Sequence, residues 1–242
     1  MATEHKLRGP ARLPPGRRIY AIGDIHGRAD LLRRLQGLIE ADLEAGPARD
    51  PLLILLGDYV DRGPDSAGVL DLLLAPAPAR MARLALMGNH EELMLRFLAD
   101  AATLPVWFVN GGDATLASYG IDPYEGVPDR LRDRLDRALP ASHRALLEGL
   151  ALCHDEGGYF FVHAGIKPGL PLDRQRREDM LWIRGEFLHS KADHGRVVVH
   201  GHSIVRRPDI RPNRIGIDTG AFASGHLTCL VLEGEERRFL AT

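Results

Sequence analysis

A chain of 242 residues, 45% hydrophobic and 26% charged, has the composition of an ordinary folded protein and is long enough for one large α/β domain or two small ones. A formal net charge of −2 argues against a broadly basic nucleic-acid surface, while leaving room for a local basic pocket. No uninterrupted apolar stretch approaches the ~20 residues that span a bilayer, so neither nucleic acid nor membrane is expected as a partner.

Residues 1–17 are basic and proline-containing, lack the apolar core of a secretory signal, and read as a flexible leader to one domain over 18–242. The string Arg18-Ile19-Tyr20-Ala21-Ile22 reads as a buried strand that runs into Gly-Asp-Ile-His-Gly at 23–27. Leu31, Leu32, Leu35, Leu38, Ile39 and Leu43 then recur at helical spacing until Gly46-Pro47. The layout repeats. Leu52-Leu53-Ile54-Leu55-Leu56 runs into Gly-Asp-Tyr-Val-Asp-Arg-Gly at 57–63, and Pro64-Asp65-Ser66 opens a helix. Leu84-Ala85-Leu86-Met87 runs into Gly-Asn-His-Glu at 88–91 and a helix to about residue 99. Three βα units in a row predict a partly parallel sheet, whose strand ends converge on one crevice.

Between 101 and 150, residues 107–112 read as a loop, and helices are predicted at 128–138 and 141–150. Strand signals return at 159–162, 197–199, 215–217, 227–232 and 237–240, with short connections that suggest a second, more antiparallel sheet. His163 follows the strand at 159–162, and His200-Gly201-His202 follows the one at 197–199. Cys153 and Cys229 form neither a CxxC pair nor a zinc-finger spacing, and read as buried thiols of a cytoplasmic protein.

Asp24, His26, Asp58, Asn89, His163 and one or both of His200 and His202 are the candidate ligands. Carboxylate, amide and imidazole donors together suit Mn, Fe or Zn, and the set is too nitrogen-rich for a dedicated Ca or Mg site. Six or seven ligands fit two cations that share a carboxylate, an arrangement that clamps a phosphoryl group. Taken singly, Asp24, Asp58 and Asn89 could cap the helices that follow them, and Asp61-Arg62 could be a surface ion pair. For Arg184 the alternative is a structural arginine stacked on Trp182. Glu91 reads as support for its helix N-terminus or for a ligand-bearing group.

Taken in order, GDxHG, GDxVDRG, GNHE, strand-His-x-Gly and strand-x-Gly-His resemble the calcineurin-like metallophosphoesterases, and within them the phosphoprotein phosphatase branch with its bacterial and phage lambda members. The resemblance implies an α/β fold in which two mixed β-sheets pack as a sandwich flanked by helices, and a catalytic domain over 18–242. It assigns Asp24 and His26 to a first metal, Asp58 to a bridge, and Asn89, His163 and His202 to a second, with His200 as a neighbour. His90 becomes the general acid, Asp61 the group that orients it, and Arg62 and Arg184 the phosphate-binding arginines. Two divalent ions, Mn first with Fe or Zn as alternatives, would support direct attack by a bridging hydroxide on phosphoserine or phosphothreonine in proteins, with phosphotyrosine also open.

Related symmetrical dinucleoside tetraphosphate hydrolases typically carry Ala at the position of Asp61 and Asp at that of Glu91, so these two residues lean toward a monoester phosphatase that acts on a phosphorylated protein. A nucleotide substrate is the first alternative, and a non-catalytic metal- and phosphate-binding module the second. The stretch 110–116 is either a lid or a buried turn. The arginines at 174, 176 and 177 read as a solvated mixed-charge loop.

Overall fold

The computed structural model describes residues 11–46 and 48–242. The first half runs β1 (Arg17–Ile22), α1 (Ala29–Ala45), β2 (Asp50–Leu55), α2 (Ser66–Leu74), β3 (Ala82–Ala85) and α3 (Asn89–Ala99), the three expected βα units. Helices α4 (Leu104–Val109), α5 (Gly112–Ser118), α6 (Pro128–Ala138) and α7 (Ala141–Glu148) fill the middle. Then come β4 (Cys153–Glu156), β5 (Tyr159–Val162), α8 (Arg177–Trp182), α9 (Gly185–Leu188), β6 (Val197–His200), β7 (Asp209–Ile210) and β8 (Arg214–Gly216). The chain closes with α10 (Ala221–Ser224), β9 (Thr228–Glu233) and β10 (Glu236–Ala241).

One five-stranded sheet has the order β10-β9-β1-β2-β3 and the other β4-β5-β6-β8-β7. In the first, β1, β2 and β3 are parallel, and β9 and β10 add antiparallel strands beyond β1. In the second, β5, β6 and β8 are parallel, with β4 and β7 as antiparallel edges. Alternation along each strand explains the layering. Ile19, Ala21, Leu52 and Ile54 face Tyr159, Phe161, Val197 and Val199 in a core between the sheets. The intervening Tyr20, Ile22, Leu53 and Leu55 face Leu32, Leu35 and Ile39 of α1. On the outer face of the second sheet, Phe160, Val162 and Val198 pack on Met180 and Phe187. The two mixed sheets and their flanking helices are the expected sandwich.

Four details depart from expectation. Strands β9 and β10 join the first sheet, because β9 is apolar on both sides: Leu230 and Leu232 enter the inter-sheet core, and Cys229 and Val231 the helix-side core. A place beside β1 supplies both. The second sheet is therefore parallel at its centre rather than mainly antiparallel. Residues 107–109, expected in a loop, belong to α4, where the Trp107 indole is fully buried and stacks on Phe97 at 4.9 Å. Leu38, expected on the buried face of α1, is 37% exposed.

Part of the leader expected to be flexible, residues 11–13, is held against the domain. Leu13 is buried and its N–H donates to Gly234 O (2.8 Å), while Arg12 O accepts from Gly158 N (3.0 Å) and Ala11 O from the Tyr159 hydroxyl (3.1 Å). Residues 1–10 of that leader lie outside the described residues.

Candidate active site

The carboxyl ends of strands from both sheets meet at one crevice. Asp24 and His26 follow β1, Asp58 follows β2, and Asn89 and His90 open α3 after β3. From the second sheet, His163 follows β5 and His202 follows β6. All seven are buried. The backbone is bent to bring them there: His26 (φ 44°), Asp58 (53°), Asp61 (72°), Arg62 (67°) and His202 (60°) occupy the left-handed region. Such conformations cost about 1–3 kcal/mol each and persist where the surrounding structure over-determines them, commonly at functional sites. Gly57 (φ 102°) makes the approach possible, since a Cβ there would lie 2.6 Å from Gly88 N.

Asp58 is common to two groups of donors whose ligand atoms lie within 4.8 Å of one another, His26–Asp58–His90 and Asp58–His163–His202. Its Oδ2 is 3.5 Å from His26 Nε2 and 3.7 Å from His90 Nε2, and its Oδ1 is 3.3 Å from His163 Nε2. Glu91, wholly buried, fixes this loop. Its carboxylate accepts from Asp58 N (2.9 Å), Tyr59 N (2.7 Å), Val60 N (3.2 Å) and Gly88 N (2.9 Å). Burial and the Asp58 charge push the Glu91 carboxyl up to about 7 while backbone donors pull it back, and four N–H groups on two oxygens suit only the ionised form.

The histidine tautomers decide what the cluster can hold. His26 Nδ1 donates to Val60 O (2.8 Å) and His163 Nδ1 to Leu56 O (2.9 Å), which leaves a lone pair on each Nε2. Burial keeps both rings neutral, pushing His26 down to about 3 and lowering His163. The His163 lone pair then faces Asn89 Oδ1 at 2.9 Å as well as Asp58 Oδ1, acceptor against acceptor. His202 Nδ1 reaches the same Asn89 oxygen (2.9 Å), and burial lowers its pKa to about 2. The His163 lone pair and the oxygens of Asn89 and Asp58 converge with no proton between them and repel unless a cation accepts them, so this donor set fits divalent metal. The charge balance points the same way: burial first, then the carboxylates of Asp218 and Asp58, raises the pKa of Asp24 well above its usual value, and added positive charge favours its ionised form.

Asp24 is not in the first donor group. Its Oδ2 accepts from His202 N (2.9 Å), and the third member of that group is His90. His90 is held by Asp61, with Nδ1 2.7 Å from Oδ2. Asp61 is fully buried and also accepts from Trp107 Nε1 (3.0 Å) and Thr115 Oγ1 (2.6 Å). Burial opposes protonation of His90, but Asp58 and Asp61 outweigh it and raise its pKa. Arg62 spans the two imidazoles, Nη1 at 2.9 Å from His26 Nε2 and Nη2 at 3.0 Å from His90 Nε2, above the Phe222 ring at 5.0 Å. Arg184, exposed at the rim, donates to His202 O (3.3 Å). His200 faces away, against Phe187 at 5.1 Å.

Asp218 was not among the sequence candidates. It follows β8 and is 1% exposed, with Gly220 N donating to its Oδ1 (2.8 Å), and burial pushes it up to about 6. Its signal was present: the apolar run Ile215-Gly216-Ile217 ends in Asp-Thr-Gly, the layout of the earlier motifs. Trp107, Thr115 and Phe222 carry no such signal, because only tertiary contact brings them to the site.

A family profile described as calcineurin-like phosphoesterase matches residues 17–223. A symmetrical bis(5'-nucleosyl)-tetraphosphatase of Dechloromonas aromatica is 34% identical over 69% of this chain, but the match spans only 51% of that relative. Serine/threonine-protein phosphatase 1 of Salmonella typhimurium is 30% identical over 88% of this chain and 90% of its own. A solved structure provisionally named a diadenosine tetraphosphatase superposes with a TM-score of 0.63 at 22% identity, over 96% of this chain and 98% of that one, and so shares the fold. No helix among the described residues is long and apolar enough to cross a membrane.

Proposed function

Because the chain belongs to the calcineurin-like phosphoesterase family, we propose that it is a metal-dependent phosphomonoesterase that removes phosphate from phosphoserine and phosphothreonine in proteins. The observation that carries this reading is the buried His90–Asp61 pair, 2.7 Å apart. A proton donor fixed by a carboxylate suits an alkoxide leaving group, which cannot depart unprotonated. The near full-length match to a serine/threonine-protein phosphatase supports the same choice.

In this reading Asp24, His26 and Asp58 hold one divalent cation, and Asp58, Asn89, His163 and His202 a second, with Mn²⁺ the proposed metal. When bound, the pair supplies neutralising charge for the phosphoryl oxygens and acidifies the attacking water. The chain's own residues do the rest. Arg62, whose fork already lies across His26 and His90, turns to the phosphoryl oxygens together with Arg184. That motion frees His90 Nε2, which here accepts from Arg62, to take up a proton from solvent and pass it to the departing oxygen while Asp61 holds Nδ1. Glu91 keeps the Asp58 loop in its left-handed turn.

Residues 18–242 act as one catalytic domain here, since the inter-sheet core draws on both halves of the chain. Cys153 and Cys229 are free thiols, in keeping with the cytoplasmic location we assign. A dinucleoside tetraphosphate is the second reading, favoured by the Dechloromonas relative. The test incubates Mn²⁺-reconstituted protein with a phosphothreonine peptide and a dinucleoside tetraphosphate at equal concentration. Faster phosphate release from the peptide is expected, and faster dinucleotide cleavage would replace the proposal with the second reading.

A further inference from the structure

Beside the crevice lies a cavity of about 510 Å³ that the site chemistry leaves unused. Its walls are continuous with the site. Ile204 and Val205 follow His202, Thr219 and Gly220 follow Asp218, and Val205 N donates to Asp218 O (2.9 Å), clamping the two loops together. Ala223 lines it from α10, next to Phe222, whose ring meets His26 edge-on at 5.4 Å. A substrate whose phosphate reached Arg62 would lie against this helix.

The lining is specific in character. Ile204 is 56% exposed, a large aliphatic side chain open to solvent at the mouth of a buried polar site. Val205, Pro208 and Ala223 continue the apolar surface, and Arg206 and Arg207 are exposed on the same loop. Arg211 and Arg214 nearby are both paired to Asp209, whereas Arg206 and Arg207 make no ion pair among the described residues. No carboxylate lines the cavity. The surface is therefore apolar with two uncompensated positive charges, complementary to an aliphatic group beside an anionic one. It has little to hold a nucleobase: the one aromatic ring in the lining is His226, whose Nδ1 donates to Thr242 O (3.1 Å), and no amide or carboxylate side chain is placed to read a base edge.

We propose that this cavity is a specificity subsite for the substrate segment flanking the phosphorylated residue, and that it selects an aliphatic side chain with acidic neighbours. The inference rests on the reading of the site as a phosphoprotein phosphatase. Ile204 and Ala223 receive the aliphatic group, and Arg206 and Arg207 attract the carboxylates. Two exposed ion pairs of ordinary strength correspond to a preference of about 2- to 30-fold.

The experiment compares kcat/KM for two phosphothreonine peptides that share a leucine but differ in glutamate or lysine flanks, on the wild type and on the Arg206→Glu/Arg207→Glu variant. p-Nitrophenyl phosphate, too small to reach the cavity, and bound-metal content serve as controls. The wild type should prefer the acidic peptide. The variant should lose or reverse that preference, with control turnover and metal content unchanged. An identical preference in both proteins overturns the subsite while leaving the phosphatase reading intact. Should the variant instead lose dinucleoside tetraphosphate cleavage, with its peptide preference unaltered, the cavity belongs to a nucleotide. A wild type that cleaves the dinucleotide and no phosphopeptide overturns the phosphatase reading, and the subsite with it.

Discussion

Asp61→Asn isolates the contribution of one buried oxygen. Asp61 shares no donor group with the candidate metal ligands, and its Oδ2 meets His90 Nδ1 at 2.7 Å inside the protein, where both side chains are almost fully buried. Asparagine keeps the size and one acceptor oxygen, so the Trp107 and Thr115 contacts retain a partner and the stability cost stays within about 1–3 kcal/mol. What disappears is the charge that holds His90 in its proton-bearing form. A positioned general acid contributes about 10²- to 10⁴-fold, and that range bounds the expected loss in kcat on an alkyl phosphate such as phosphothreonine. p-Nitrophenolate leaves without a proton, so turnover of p-nitrophenyl phosphate should fall by much less. The assay compares kcat for the two substrates across wild type, Asp61→Asn, His90→Asn and the double variant, with metal content measured in each. Groups that act as one unit are non-additive, so the double variant should be no slower than His90→Asn alone. Equal losses on both leaving groups, or additive losses in the double variant, would refute the idea that Asp61 acts through His90.

Asp58→Ala should abolish both metal binding and turnover, because Asp58 is the member common to both donor groups; elemental analysis of the folded variant checks it, and retained metal would remove Asp58 from the centre. Phe161→Ala empties a fully buried position between the sheets and should cost about 3–5 kcal/mol in denaturant unfolding. Asp42 gives an acid-side prediction. Burial opposes its ionisation, but Arg238, Tyr20 and Arg18 outweigh that and hold its pKa below the usual 3.8. A carboxylate depressed in the folded state stabilises above its unfolded pKa, and that stability is lost as pH falls through the folded value. Asp42→Asn should therefore be less stable at neutral pH and show a shallower loss below pH ~4 in thermal melts.

The three βα units and the order of the motifs were legible in the sequence, because each rests on local rules: buried strands as apolar runs, helices as three- and four-residue periodicity, ligands at strand ends. The same rules put Asp24, Asp58, Asn89 and His163 at strand ends that share one crevice, but they left His200 and His202 open, and only the resemblance to the phosphoesterases chose His202. Sheet membership was not local. Strand β9 looks like any apolar run, and its place beside β1 follows from two different cores competing for its two faces. The loop expected at 107–112 failed for a related reason, since the partners that bury Trp107, Phe97 and Asp61, are distant in sequence. Protonation lies furthest from the sequence. Which histidine nitrogen carries a lone pair depends on carbonyls such as Val60 O and Leu56 O, which bear no side-chain signature. The sequence by itself determined the donor types and the ends of the strands that carry them. Only the tertiary structure decided which lone pairs face one another, because that depends on angles and distances between segments remote along the chain.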